Sequence, residues 1–182
     1  KNFNFKEYWI HCLLVATASK KISSDLGYPL IGEAFTSGLL HDLGILVISK
    51  YFPKEFNEIN ELIEIKGINN LEAEKNILGY THQEIGQILI DRWNLPPELS
   101  EAVRFHHNPG KALMNKHLSS IVHIADYLTT YLKIGNINYD VQSELDLEVI
   151  NILKLGDENY LYDYMKTYET LIQEQVENIA LW

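Results

Sequence analysis

Thr81-His82-Gln83-Glu84-Ile85-Gly86-Gln87-Ile88-Leu89-Ile90-Asp91-Arg92-Trp93 is the stretch on which the fold class turns. A Thr followed three residues later by a Glu lets the two side chains cap each other's exposed amides at a helix start. Ile85, Ile88, Leu89 and Trp93 then recur three and four apart, so the run reads as a helix with His82 in its first turn.

The same periodicity continues outward on both sides. Upstream, Asn69 and Asn70 cap a short helix that ends at Gly79, and Pro53 opens one that stops at Gly67. A helix from about Gly32 to Leu43 carries Phe35, Leu39 and Leu40, with a break predicted at Gly44 before Leu46, Val47 and Ile48. The first helix places Trp9, Leu13 and Ala16 on one stripe and closes near Gly27 and Pro29. Downstream, Pro96-Pro97 opens a helix that must finish at His106-His107, because Asn108-Pro109-Gly110 cannot continue it. From Leu118 to about Lys133 a face of Leu118, Val122, Ala125 and Thr129 includes or borders Asp126. Beyond Gly135 the chain is polar for about ten residues, and helical patterns then cover 144 to 155 and 157 to 181. Alternating Val, Ile and Thr runs bounded by hairpin turns are absent. The expectation is an all-α, compact multi-helix bundle, with a core at 1–134 and C-terminal helices at 135–182 packed on the same domain.

With 182 residues, 46% apolar and 22% charged, the chain has the profile of one globular domain with a sizeable core. Its 25 acidic against 15 basic residues give a net charge of -10, which opposes a non-specific grip on nucleic acid or an anionic membrane. One cysteine, Cys12, cannot form an internal disulfide, and a reducing, cytoplasmic setting is expected. The chain begins at Lys1 without a signal-peptide layout and reads as a piece of something longer.

The informative residues are polar groups in apolar surroundings. His11 lies beside Leu14 and Val15, His41-Asp42 follows Leu39-Leu40, and Asp126 follows Ile124-Ala125. A buried carboxylate or imidazole is costly unless it is paired, hydrogen-bonded or metal-bound. Singly, each has an ordinary explanation as a hydrogen-bonded core histidine or a helix cap. Together with Glu7 four residues before His11, His82 at a helix start and His106-His107 at a helix end, they form an imidazole and carboxylate set. Such a set suits one or two borderline divalent ions: Fe, Mn, Co or Zn.

The order His, His-Asp, His, His-His, Asp on successive helices resembles the HD superfamily of metal-dependent phosphohydrolases. Ser37 to Gly44, Glu72-Ala73-Glu74, Gly79 to Gly86, Arg92-Trp93-Asn94-Leu95-Pro96 and His106-His107-Asn108-Pro109 narrow the resemblance to its HDOD branch, over residues 5 to 132. The resemblance implies metal ligation by His11, His41, Asp42, His82, His106, His107 and Asp126, with Glu7 matching an additional ligand of some relatives. It also implies a signalling protein as partner, with a small phosphorylated ligand as an alternative. The family usually has a further helical portion before the first His, absent from this chain.

The sequence departs from relatives that cleave cyclic dinucleotides. Their doublet continues His-Asp-x-Gly-Lys, where this chain has Ile45, and their Gly-Tyr-Pro is replaced by Asn108-Pro109-Gly110. A positioned cation stabilises charge developing on a phosphoryl group, and Ile45 cannot supply one. A regulatory module and a metal-dependent phosphohydrolase are the two readings left open, with cyclic-dinucleotide cleavage disfavoured. His117 and His123 match no position of the pattern and are expected at the surface or in packing, with His123 placed to orient Asp126. Cys12 reads as a core filler, and Tyr160, Tyr164 and Tyr168 as an aromatic row packed on the domain.

Overall fold

A computed structural model describes residues 3–132 and 144–180, excepting the side chains of 178–180. Eleven α-helices and one 3-10 turn, with no strand, make up its regular structure among the described residues. In order they are α1 (Phe5–Asp25), α2 (Ile31–Leu40), α3 (Leu43–Tyr51), α4 (Pro53–Lys66), α5 (Asn70–Leu78) and α6 (His82–Arg92). There follow α7 (Pro97–Phe105), the 3-10 turn Pro109–Lys111, α8 (Lys116–Tyr131), α9 (Glu148–Leu153), α10 (Glu158–Lys166) and α11 (Glu169–Ala180). The predicted features at Lys133 to Gly135, and the boundary at 134, lie outside the described residues.

Local chemistry sets most boundaries. Thr81 accepts from the Glu84 amide while Glu84 accepts from the Thr81 amide, the complete reciprocal cap. Asn69 caps α5, and Gly67 and Gly79 end α4 and α5 in the left-handed conformation glycine tolerates best.

Two boundaries and the buried face of α1 differ from the sequence reading. The break after α2 falls at His41-Asp42 rather than Gly44, which lies inside α3. Gly44 is there for closeness: a Cβ on it would overlap the His82 carbonyl, so α3 and α6 pass backbone to backbone. The tract 157–181 is two helices parted at Thr167-Tyr168, without glycine or proline to mark the turn. There Thr167 donates its hydroxyl to the Tyr164 carbonyl at 2.6 Å, and the buried Tyr168 donates to Asp25 Oδ2 of α1 at 2.7 Å, docking the corner on the bundle. On α1, Trp9 is 45% exposed and Leu13 only half-buried, while Tyr8, His11, Cys12, Val15 and Ile22 are buried. The stripe is displaced because α2 and α8 both pack on this helix, the former so tightly that a Cβ on Gly38 would press on the Ala16 and Val15 backbone.

The main core joins Leu14, Val15, Ala18 and Ile22 of α1 to Leu118, Ile121, Val122 and Leu128 of α8. Val149, Leu161, Met165 and Ile172 from the C-terminal helices enter the same cluster. Eleven of the sixteen residues of α8 are buried, as expected of a central helix. The tract Ile31–Tyr51 is apolar and long enough by composition to cross a membrane, yet it is two helices bent at His41-Asp42, with half its apolar window buried.

Candidate metal centre

Helix ends bring the site together. His41 follows the last residue of α2, His106 follows the last residue of α7, and His82 opens α6, while His11 and Asp126 lie within α1 and α8. His11, His41, Asp42, His82, His106, His107 and Asp126 are all buried, none more than 9% exposed.

Each imidazole but one is oriented through Nδ1. His41 Nδ1 lies 2.8 Å from the Gly38 carbonyl and His106 Nδ1 lies 2.7 Å from that of Val103, the same device at two helix C-termini, where carbonyls lack helical partners. His82 Nδ1 lies 2.9 and 3.0 Å from the Glu74 carboxylate oxygens. Thr129 donates its hydroxyl to the Asp126 carbonyl at 2.8 Å, leaving its oxygen to accept from His11 Nδ1 at 3.2 Å. Acceptors opposite all four Nδ1 atoms favour the ring proton there, so in the neutral rings the four Nε2 atoms present lone pairs.

Those lone pairs face one another. His11 and His41 Nε2 stand 3.2 Å apart, and His82 Nε2 lies 3.3 Å from the Nε2 atoms of both His106 and His107. Asp126 Oδ1 lies 3.2 Å from His11 Nε2 and 3.5 Å from His41 Nε2. Asp42 divides itself: Oδ2 faces His41 and His11 at 3.3 and 3.5 Å, and Oδ1 faces His82 and His106 at 3.5 and 3.7 Å. Neither Asp42 oxygen, nor Asp126 Oδ1, receives a well-aligned hydrogen bond.

Two buried carboxylates among lone-pair nitrogens require positive charge. Protons would supply some of it. Burial pushes His11 and His41 down, but Asp126 and Asp42 outweigh it and raise both above the ordinary imidazole value. Burial and the neighbouring His107 and His41 hold His106 well below that value instead. Asp42 and Asp126 lie well below the ordinary carboxylate range because the histidine partners outweigh burial. Divalent cations answer the whole arrangement: the donors fall into His82, His106, His107 on one side and His11, His41, Asp126 on the other, with His41, Asp42, His106 between. Mixed imidazole and carboxylate donors fit Fe, Mn, Co or Zn.

The seven principal sequence-predicted residues therefore converge. Glu7 is half-buried one turn before His11 and belongs to none of these groups. His117 is exposed and stacks on Tyr28 at 6.3 Å. His123 is 1% exposed, within the packing placement expected of it; rather than orient Asp126 it ties backbone to backbone, its Nδ1 donating to the His106 carbonyl at 2.6 Å and its Nε2 accepting from the Asp146 amide at 2.8 Å. Cys12 is buried, and burial pushes its thiol up to about 12. Of the tyrosine row, Tyr168 is buried and Tyr160 is 56% exposed.

Glu74 is the supporting residue that sequence reasoning missed. It is 2% exposed and accepts from His82 Nδ1, from the His82 amide at 2.7 Å and from Asn70 Nδ2 at 2.8 Å. Its sequence signal is its place in the Glu72-Ala73-Glu74 motif, beside the buried Ala73, which marks the residue without giving it a role. Partners that orient ligand imidazoles are typically worth about 10- to 100-fold in metal affinity. Glu74→Gln is expected to weaken metal binding by about that factor, read by competition against a chromogenic chelator, with helical content unchanged. Parent-like affinity would remove Glu74 from the site.

Residues 1–109 match the HDOD domain profile. The fold overlays on an HDOD domain protein of unknown function from Geobacter sulfurreducens, with TM-score 0.80 and 24% identity, covering 97% of this chain and 63% of that one. A Shewanella amazonensis protein provisionally named a phosphohydrolase gives TM-score 0.73 at 24% identity, covering 98% and 65%. A Marinobacter aquaeolei protein provisionally named for signal transduction gives 0.75 at 23%, covering 95% and 39%. At these identities the likeness is one of fold. An uncharacterised Treponema pallidum protein is 26% identical over 147 residues, spanning 80% of this chain and 28% of that protein. The chain thus spans less than two thirds of the length of the first relatives it matches.

Proposed function

The chain belongs to the HDOD domain family, and from that premise we propose that it is a regulatory module for signal transduction. In this reading it keeps a metal site and works through protein contacts in a cytoplasmic setting. His82, His106 and His107 would hold one ion and His11, His41 and Asp126 a second, with Asp42 offering an oxygen to each. The bound ions would supply positive charge and Lewis acidity; the protein supplies oriented imidazoles and buried donors.

The observation that carries the regulatory reading is Ile45, three residues after Asp42, whose amide donates to the Asp42 carbonyl at 2.9 Å. This residue is 1% exposed and sits in a cluster with Tyr8 and Cys12, where hydrolytic relatives are expected to place a lysine. Among the described residues, no lysine or arginine forms an ion pair with Asp42 or Asp126; Arg104 and Lys75 both pair with Glu84. Phosphoryl transfer without such a cation loses a major source of transition-state stabilisation.

The alternative, a metal-dependent phosphohydrolase acting on a nucleotide or other phosphoester, draws support from the complete donor set and the division of Asp42 between two sides. Elemental analysis of protein purified without chelator or metal-affinity tag, paired with turnover assays on phosphomonoesters, phosphodiesters and nucleotides, separates the two. Bound Fe, Mn, Co or Zn with turnover no faster than that of His41→Ala is the expected result. Fast, metal-dependent turnover lost in His41→Ala would replace the regulatory reading with the enzymatic one.

A further inference from the structure

We propose that α9 reports whether the metal site is filled, with His123 as the link: an ion at His106 and His107 tightens the docking of α9, and releasing α9 weakens the ion. This names how the site is coupled to the rest of the domain under the regulatory reading and rests on it.

α9 is an element able to respond. It has six residues, of which Val149 alone is buried, and a helix that short has no stability of its own. Its place on the bundle depends on tertiary contacts, and Asp146 organises those at its start. The Asp146 carboxylate accepts from the Glu148 amide at 3.0 Å and its carbonyl from the Val149 amide at 3.2 Å, while its own amide donates to His123 Nε2 at 2.8 Å. His123 is 1% exposed on α8, and its Nδ1 donates to the His106 carbonyl at 2.6 Å. One imidazole thus spans the backbone of a metal-donor residue and the first turn of α9. A second contact runs beside it: the Glu148 carboxylate lies against Gly110, where a Cβ would overlap it, and the 3-10 turn Pro109–Lys111 packs on α9.

The other end of the link is where an ion acts. Neutral His82 and His106 rings turn their Nε2 lone pairs towards each other at 3.3 Å, an arrangement that a divalent cation stabilises. A cation there fixes the His106-His107 corner. The His106 carbonyl carries that restraint to His123, because leaving either of the buried His123 hydrogen bonds unmade costs the desolvation of a polar group. Linkage makes the effect reciprocal, so the factor by which the ion steadies α9 is the factor by which releasing α9 lowers ion affinity.

Hydrogen exchange read by mass spectrometry, on the full chain at neutral pH in chelator and then with Zn²⁺, tests the link. Zn²⁺ is expected to slow the Glu148–Leu153 amides about tenfold beyond any slowing in α10, which enters the same core through Leu161 and Met165. Two variants cut the link from opposite ends: His123→Phe keeps a buried ring without its hydrogen bonds, and Asp146→Pro removes the amide donor far from the metal donors. In each, α9 should exchange faster and answer Zn²⁺ no more than α10 does. Each should also bind Zn²⁺ about tenfold more weakly by chelator competition, and the double variant no more weakly than either single one. Should His123→Phe fail to fold, the parent exchange and Asp146→Pro decide. Slowing shared equally by α10, parent-like Zn²⁺ affinity in Asp146→Pro, or losses that add in the double variant would overturn the link and leave the regulatory reading standing, since that reading falls to the turnover assay. Absence of Zn²⁺ binding would overturn the link and remove the metal from that reading as well.

Discussion

Asp42→Ala is expected to empty both metal positions at once. Its two oxygens are shared out, one towards His41 and His11 and the other towards His82 and His106, at 3.3 to 3.7 Å. No other residue of the cluster faces both sides so evenly; Asp126 offers Oδ1 to His11 and His41 and only a 4.0 Å approach to His107. Losing Asp42 also removes one of the two carboxylates that face the Nε2 atoms, leaving Asp126 alone on that side of the imidazoles. Elemental analysis should find bound metal in the parent and none in Asp42→Ala. His11→Ala, by contrast, should lower the content without abolishing it. The stabilisation that a bound ion confers, about 4 kcal/mol when free ion stands at a thousand times Kd, should vanish with it, so added metal no longer raises Tm. Parent-like metal content in Asp42→Ala would overturn the shared-carboxylate arrangement.

Acid should loosen the fold through His123, starting well above the pH at which ordinary carboxylates protonate. Burial holds this imidazole down to about 4, with His107 adding to the effect, while its nitrogens donate to the His106 carbonyl and accept from the Asp146 amide. In the unfolded chain the same ring titrates near 6.5. Between those values the unfolded state binds the extra proton, so the contribution is whole above about 6.5 and is lost as pH falls towards 4. Over the full span this amounts to about 3 kcal/mol, at about 1.4 kcal/mol per pH unit. Denaturant unfolding across that window, in chelator so that metal binding does not contribute its own pH dependence, should slope more steeply for the parent than for His123→Gln. Depressed His106 slopes the same way in both proteins, so the difference between them isolates His123. Equal slopes would show that His123 is not the acid-sensitive tie.

Wherever a helix end depends on neighbours in the chain, sequence and structure agree closely. The Thr81–Glu84 cap, the Asn69 cap and the glycines after α4 and α5 act within about one turn, and each stands where reading the residues puts it. The turn at His41-Asp42 was misplaced because Gly44 is the local breaker, while its actual use is to let α6 approach. The corner at Thr167-Tyr168 carries no breaker and exists because Tyr168 reaches Asp25 on α1.

The site divides in the same way. Donor types, their order and the all-α frame are legible in the residues alone, because apolar spacing and an unusual load of histidine and aspartate survive in one dimension. Packing places Asp42 between two halves, sets Glu74, Thr129 and two helix-end carbonyls against the ring Nδ1 atoms, and joins His106 to Asp146 through His123. Caps and periodicity act over a few residues of chain. Which lone pairs face each other across 3 Å depends instead on how α1, α2, α6, α7 and α8 pack, and that packing is settled by the burial of all their apolar faces together.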